Sequence, residues 1–141
     1  WPADVAFADV DPADYAALVI PGGRAPEYIR NDADVQRIVQ HFMNGEYPVA
    51  QLCHAPLVLA AARTLSGRRT AAYPALEPDV AAAGAEFVDS SVVDDGQLVS
   101  AQAWPGHPAW MRVRQDPARQ GPGRPVLARR VSRETPEPRF T

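Results

Sequence analysis

Short unbroken apolar runs, each closed by a turn-forming residue, alternate along the first hundred residues with segments whose apolar positions recur every three to four residues. Tyr15 to Ile20 (YAALVI) is the first such run, and it stops at Pro21-Gly22-Gly23. A continuous apolar run ended by Pro and Gly fits a buried strand of a parallel sheet better than a half-exposed edge strand. Asn31-Asp32 then offers a helix cap, and Val35, Ile38, Val39 and Phe42 fall at i, i+3, i+4 and i+7 before Gly45 ends the pattern. Pro48 to Leu52 is a second apolar strand that runs directly into Cys53-His54. Pro56 suits a first helical turn, and Leu57 to Leu65 reads as a buried helix, apolar on most faces and closed near Ser66-Gly67.

Further on, Thr70 to Tyr73 is a candidate third strand, and Pro78 to Ala83 a short helix stopped by Gly84. Ser91 to Val93 and Leu98 to Ser100 flank Asp94-Asp95-Gly96-Gln97, where Asp-Gly is a strong hairpin signal. Residues 1–14 are polar and carry turn chemistry at Asp11-Pro12. Strands alternating with helices predict an α/β domain with a largely parallel sheet. There is no internal repeat, and 141 residues at 46% hydrophobic content can build one domain with a core, not two.

Charge divides the chain. Residues 1–111 hold 6 Arg against 14 acids, whereas residues 112–141 hold 8 Arg against 3 acids and five prolines without any apolar period. The segment 113–141 therefore reads as a Pro/Arg-rich, disordered tail behind the domain at 1–112. A formal charge of −3 gives no reason to expect nucleic acid or an anionic membrane as partner. No apolar run approaches the ~20 residues of a membrane span, and no signal-peptide pattern opens the chain. With one cysteine there is no internal disulfide, so a reducing, cytoplasmic setting is expected. All 14 basic residues are Arg, from which nothing functional follows.

Cys53 is the residue on which chemistry centres. At the junction of a strand and a helix, a thiol meets the positive end of the helix dipole and unpaired backbone N–H groups, which favour the thiolate. His54 follows at once and can take or return a proton. Position alone leaves a second reading open, a buried Cys serving as a small hydrophobe. Pro21-Gly22-Gly23 also closes a strand, and ligands of open α/β sheets gather at the carboxyl ends of strands, so both turns should border one crevice. The Gly23 N–H is a candidate oxyanion donor, and Glu27 is the carboxylate best placed to orient His54. No Gly-Lys-Ser/Thr follows the glycines, so the loop is not a phosphate cradle. His41 belongs to the polar side of its helix, and His107 sits in a Trp104-Pro105 turn at the border of the crevice or in a structural role. Three scattered histidines and one cysteine lack metal-ligand spacing, so neither a metal nor another cofactor is expected.

Taken together, FADVDPADYAALVIPGGRAPEYIR (7–30), PVAQLCHAPLVLAAA (48–62), GRRTAAYPALEPDVAAAGAEFVD (67–89) and VVDDGQLVSAQAWPGHPAWMR (92–112) resemble the ThiJ/PfpI (DJ-one) family of the class I glutamine-amidotransferase-like superfamily. PGGRAPE combined with a Cys-His elbow is similar to the PfpI-like intracellular protease and deglycase branch. The resemblance implies a flavodoxin-like three-layer α/β sandwich. It implies Cys53 as nucleophile, His54 as its proton-transfer partner, and the backbone N–H groups of Gly23 and His54 as the oxyanion hole. It further implies a homodimer or higher homo-oligomer in which Glu27 reaches the His54 of a neighbouring subunit. The substrate is then a peptide or a small carbonyl adduct, attacked by a thiolate without a cofactor. The C-terminal His-x-Glu pair of glutamine amidotransferases is not found, which disfavours ammonia transfer.

The chain also departs from the family pattern. The family's first strand, and the loop Glu that hydrogen-bonds the thiol, have no counterpart here. Position 55 is Ala in place of the usual Gly, and RQDPARQGPGRP replaces the expected continuation after Arg112. The domain is accordingly expected to be incomplete at its N-terminus and prone to associate through an open sheet edge. Two alternatives stand beside the hydrolase: a non-enzymatic redox-sensing or stress-chaperone protein whose thiol is oxidised, and an inactive truncated family member.

Overall fold

The computed structural model describes residues 2–115. Its main sheet has four strands in the order β1 (Leu18–Ile20), β2 (Val49–Leu52), β6 (Leu98–Ala101) and β5 (Val92–Asp95). The first three are parallel, with Val19 opposite Ala50 and Ala50 opposite Val99, and β5 returns antiparallel from a hairpin. The expected α/β class and mostly parallel sheet are what the chain forms. All four residues of β2 are buried, as a central parallel strand requires.

Helices cover both faces. Strand residues alternate in direction, so Val49 and Leu98 face α2 (Ala33–Asn44) and α3 (Pro56–Ala61), joining Val35, Ile38, Val39, Phe42, Val58 and Leu59 in one core. Ala50, Leu52, Val99 and Ala101 face the other way, against Trp110 of α5 (His107–Gln115), whose indole N–H donates to Val99 O at 3.2 Å. The result is the three-layer arrangement. A second, two-stranded parallel sheet pairs β3 (Arg69–Thr70) with β4 (Glu86–Phe87), and α4 (Glu77–Ala82) lies between them in sequence.

The caps read from sequence act as expected on α2. Asp32 Oδ1 accepts from the Asp34 and Val35 N–H groups at 2.9 and 3.0 Å. At its other end, the Gln97 side-chain amide donates to the carbonyls of Met43 and Phe42 at 3.0 and 3.3 Å while its oxygen accepts from Arg68 at 2.9 Å. Gln97 follows Gly96, whose φ of +71° turns the β5–β6 hairpin.

Several elements differ from the sequence reading. β1 takes only Leu18–Ile20 of the run from Tyr15, and it is an edge strand with Val19 exposed, not a strand buried on both faces, because no strand pairs with its outer side among the described residues. α3 stops at Ala61 instead of continuing to Leu65, because Arg63 turns left-handed (φ +58°) and Thr64 N–H closes back on Leu59 O at 3.0 Å. The residues around Glu27 form a short helix, α1 (Ala25–Ile29), not a loop. The third strand covers Arg69–Thr70 and belongs to the small sheet, so Ala71 to Tyr73 lie beyond it. Finally, His107 opens α5, which carries helix past Arg112 to Gln115. The rest of the expected tail, 116–141, lies outside the described residues.

Candidate functional site

Cys53 sits at the carboxyl end of β2 with φ +60°, a left-handed conformation that a non-glycine residue adopts at a cost of about 1–2 kcal/mol. Its main chain is fixed on both sides. The Cys53 N–H donates to Ala101 O at 2.9 Å, and the Cys53 carbonyl accepts from the Tyr73 N–H at 2.9 Å. The reversal of φ turns the side chain out of the sheet, and the thiol is half-buried. A strained, doubly anchored turn at a strand end is the geometry in which backbone strain accompanies function.

The turn after β1 packs directly on this elbow. A methyl group at Gly22 would lie 2.7 Å from Cys53 Cβ and 3.2 Å from Leu52 O, so only glycine admits the approach. Gly23 follows with φ +77°. Among the described residues, neither the Gly23 nor the His54 N–H donates a hydrogen bond. The two donors anticipated for an oxyanion hole are thus uncommitted.

His54 brings the side chains together. Its Nδ1 lies 3.1 Å from Cys53 Sγ, and its Nε2 lies 3.8 Å from Glu27 Oε1 within the same chain. The other carboxylate oxygen, Oε2, is 3.4 Å from Arg24 Nη2. Both His54 and Glu27 are partly open to solvent, at 21% and 36% side-chain exposure, so this pair is screened and acts on geometry more than on stability. The imidazole also stacks on Tyr73, with ring centroids 4.9 Å apart and planes inclined by 21°.

The other histidines lie apart. His41 stacks on Tyr47 at 5.1 Å near the end of α2, half-buried instead of fully on the surface, and His107 lies 5.9 Å from Trp110 in α5. Among the described residues, no cluster of three or more His, Cys, Asp or Glu side chains is arranged to hold a metal ion, and no helix is long and apolar enough to cross a membrane. Tyr73 is the site residue that sequence pattern did not reveal, since its contact with His54 depends on the chain returning nineteen residues later.

Comparison with known proteins places the chain by family and fold. Protein DJ-1 homolog D of Arabidopsis thaliana is 47% identical over 109 residues, which cover 74% of this chain and 28% of that protein. A protein of Pyrococcus abyssi named a deglycase is 42% identical over 109 residues, covering 77% of this chain and 66% of that one. The chain therefore spans at most about two thirds of the length of these relatives. Among solved structures, Drosophila melanogaster DJ-1beta superposes with a TM-score of 0.69 at 26% identity, covering 76% of this chain and 58% of that one. Residues 1–114 match the model of the DJ-1/PfpI family, and with the Cys-His elbow on a mostly parallel sheet this places the chain in that family.

Proposed function

We propose that the protein is a cysteine-dependent hydrolase that releases amines from small carbonyl adducts, a deglycase-type reaction. The observation that carries this reading is the 3.1 Å approach of His54 Nδ1 to Cys53 Sγ on a strained strand-to-helix turn. The deglycase name of the archaeal relative supports the substrate class. In the proposed reaction the thiol proton passes to Nδ1 as Sγ bonds the hydroxyl-bearing carbon of the adduct, and the carbon–nitrogen bond on that carbon breaks in the same step. The hydroxyl oxygen accepts from the N–H groups of Gly23 and His54, which also meet charge gathering there. The amine leaves with the proton held on Nδ1. Water displaces the sulfur from the carbon fragment and restores the thiol.

Glu27 orients the imidazole in this scheme. Assembly as a homodimer or higher homo-oligomer, with Glu27 reaching the partner subunit's His54, belongs to the same proposal. The 3.8 Å separation within one chain makes intrachain pairing its direct competitor. Peptide bonds are the second substrate class of the proposal, served by the same nucleophile and oxyanion donors.

The test is release of free amine from a methylglyoxal-modified peptide, compared between the native chain and Cys53→Ser. A loss of at least about 10³-fold is expected for the variant. Equal rates in the two proteins remove Cys53 from the mechanism.

A further inference from the structure

We infer that Tyr73 is a positioning residue that holds the His54 imidazole edge-on between the thiol and the carboxylate, an inference that rests on the proposed role of Cys53 and His54. A histidine ring at this point needs one rotamer and one ring orientation, with Nδ1 toward Sγ at 3.1 Å and Nε2 toward Glu27 Oε1 at 3.8 Å. The carboxylate alone is a weak guide at that distance, beyond hydrogen-bond range and shared with Arg24. The Tyr73 ring supplies the missing restraint. It lies nearly parallel to the imidazole at 4.9 Å, a stacked contact that biases the imidazole toward this plane.

Tyr73 is itself tied to the elbow it serves. Its N–H donates to the Cys53 carbonyl, and its own carbonyl accepts from the Leu76 N–H, both at 2.9 Å. Pro74 follows and restricts Tyr73 to extended backbone, observed at φ −53° and ψ 130°. The plane on which the imidazole rests therefore moves with the residue that carries the thiol. Tyr73 remains 44% exposed, so its ring contributes little to the core. Its hydroxyl makes no hydrogen bond among the described residues, and the restraint is assigned to the flat ring alone.

The experiment compares Tyr73→Ala and Tyr73→Phe in the full chain by two readouts. One is kcat and KM on the methylglyoxal-modified peptide. The other is the rate of Cys53 alkylation by iodoacetamide, followed by mass spectrometry, which needs no turnover. Tyr73→Ala is expected to lower kcat about tenfold or more with KM nearly unchanged, and to alter the alkylation rate severalfold. Tyr73→Phe is expected to restore both. A Phe variant as impaired as the Ala variant assigns the effect to the hydroxyl and overturns the inference. So does an Ala variant that raises KM alone, or one that behaves as the native chain. If the Ala variant does not fold, Tyr73→Leu, apolar but without a flat ring, takes its place. If the native chain turns over no adduct, the deglycase reading fails by itself. The alkylation rates then still decide the inference: a difference between Ala and Phe upholds it, and equal rates overturn it.

Discussion

β1 and β2 are short, apolar, parallel neighbours, and each delivers one half of the site, yet the sheet holds them differently. β2 is buried along its whole length between β1 and β6, and the Cys53 elbow beyond it is bonded to Ala101 on one side and Tyr73 on the other. β1 is an edge strand, and Val19 at its centre is 54% exposed. The thiol and the imidazole thus stand on the rigid strand, whereas Gly22, Gly23 and the Glu27 helix hang from the looser one. In the proposed reaction the groups that must meet at fixed distance stand on the better-held element, and the carboxylate proposed to orient them hangs from the weaker support.

The contrast is tested most severely from the β2 side. Leu52→Ala is expected to cost about 2–5 kcal/mol, since a nearly buried core side chain is lost, and chemical denaturation measures it. Next comes the contact between the two turns. Gly22→Ala forces a methyl against Cys53 Cβ and should cost about 1–3 kcal/mol together with a marked fall in activity. Gly23→Ala meets no atom within 4 Å, so only the φ of +77° opposes it, at about 1–2 kcal/mol. A Gly23 variant less active than the Gly22 variant would reverse the ranking of these two positions.

Glu27→Gln is expected to slow turnover about tenfold, or ~1.4 kcal/mol in the barrier. Mixing this variant with Cys53→Ser extends the test to the subunit interface. Activity regained on mixing shows Glu27 acting across subunits, and none regained shows it acting within its own chain. The smallest effect is expected at the β1 edge, where Val19→Ala should change stability by no more than about 0.5 kcal/mol. A large loss there would mean that another surface covers β1 in solution.

Much of this is legible in the sequence. YAALVI before Pro-Gly-Gly and PVAQL before Cys-His announce two parallel strands; a run without alternation suits β2, buried on both faces, whereas β1 lies at the sheet edge with Val19 exposed. Asp32 and the i, i+3, i+4, i+7 series announce α2 for the same kind of local reason. Cys53, His54 and Glu27 stand out together in the sequence, and the chain does bring them together. What is not legible depends on distant parts of the chain. The five residues of α1 are too few to show a period, and the apolar character of Leu57 to Leu65 outlasts α3 because Leu65 is buried (1% exposed) outside any helix. Tyr73 carries no local signal at all, since its role is defined by the ring it faces.

The Gln97 amide has a consequence for how the molecule opens. A helix end normally frays by itself, with its last carbonyls returning to water. Here the carbonyls of Phe42 and Met43 are held by a residue of the β5–β6 hairpin that Arg68 also grips, so the end of α2 cannot come loose without releasing that hairpin. The two should behave as one cooperative unit in amide hydrogen exchange, with the Gly45 N–H, bonded within this end of α2 to His41 O, exchanging in step with the Val49 N–H, bonded to Gln97 O. The pole of the domain opposite the thiol is therefore its latch, where a helix end and a hairpin open together or not at all.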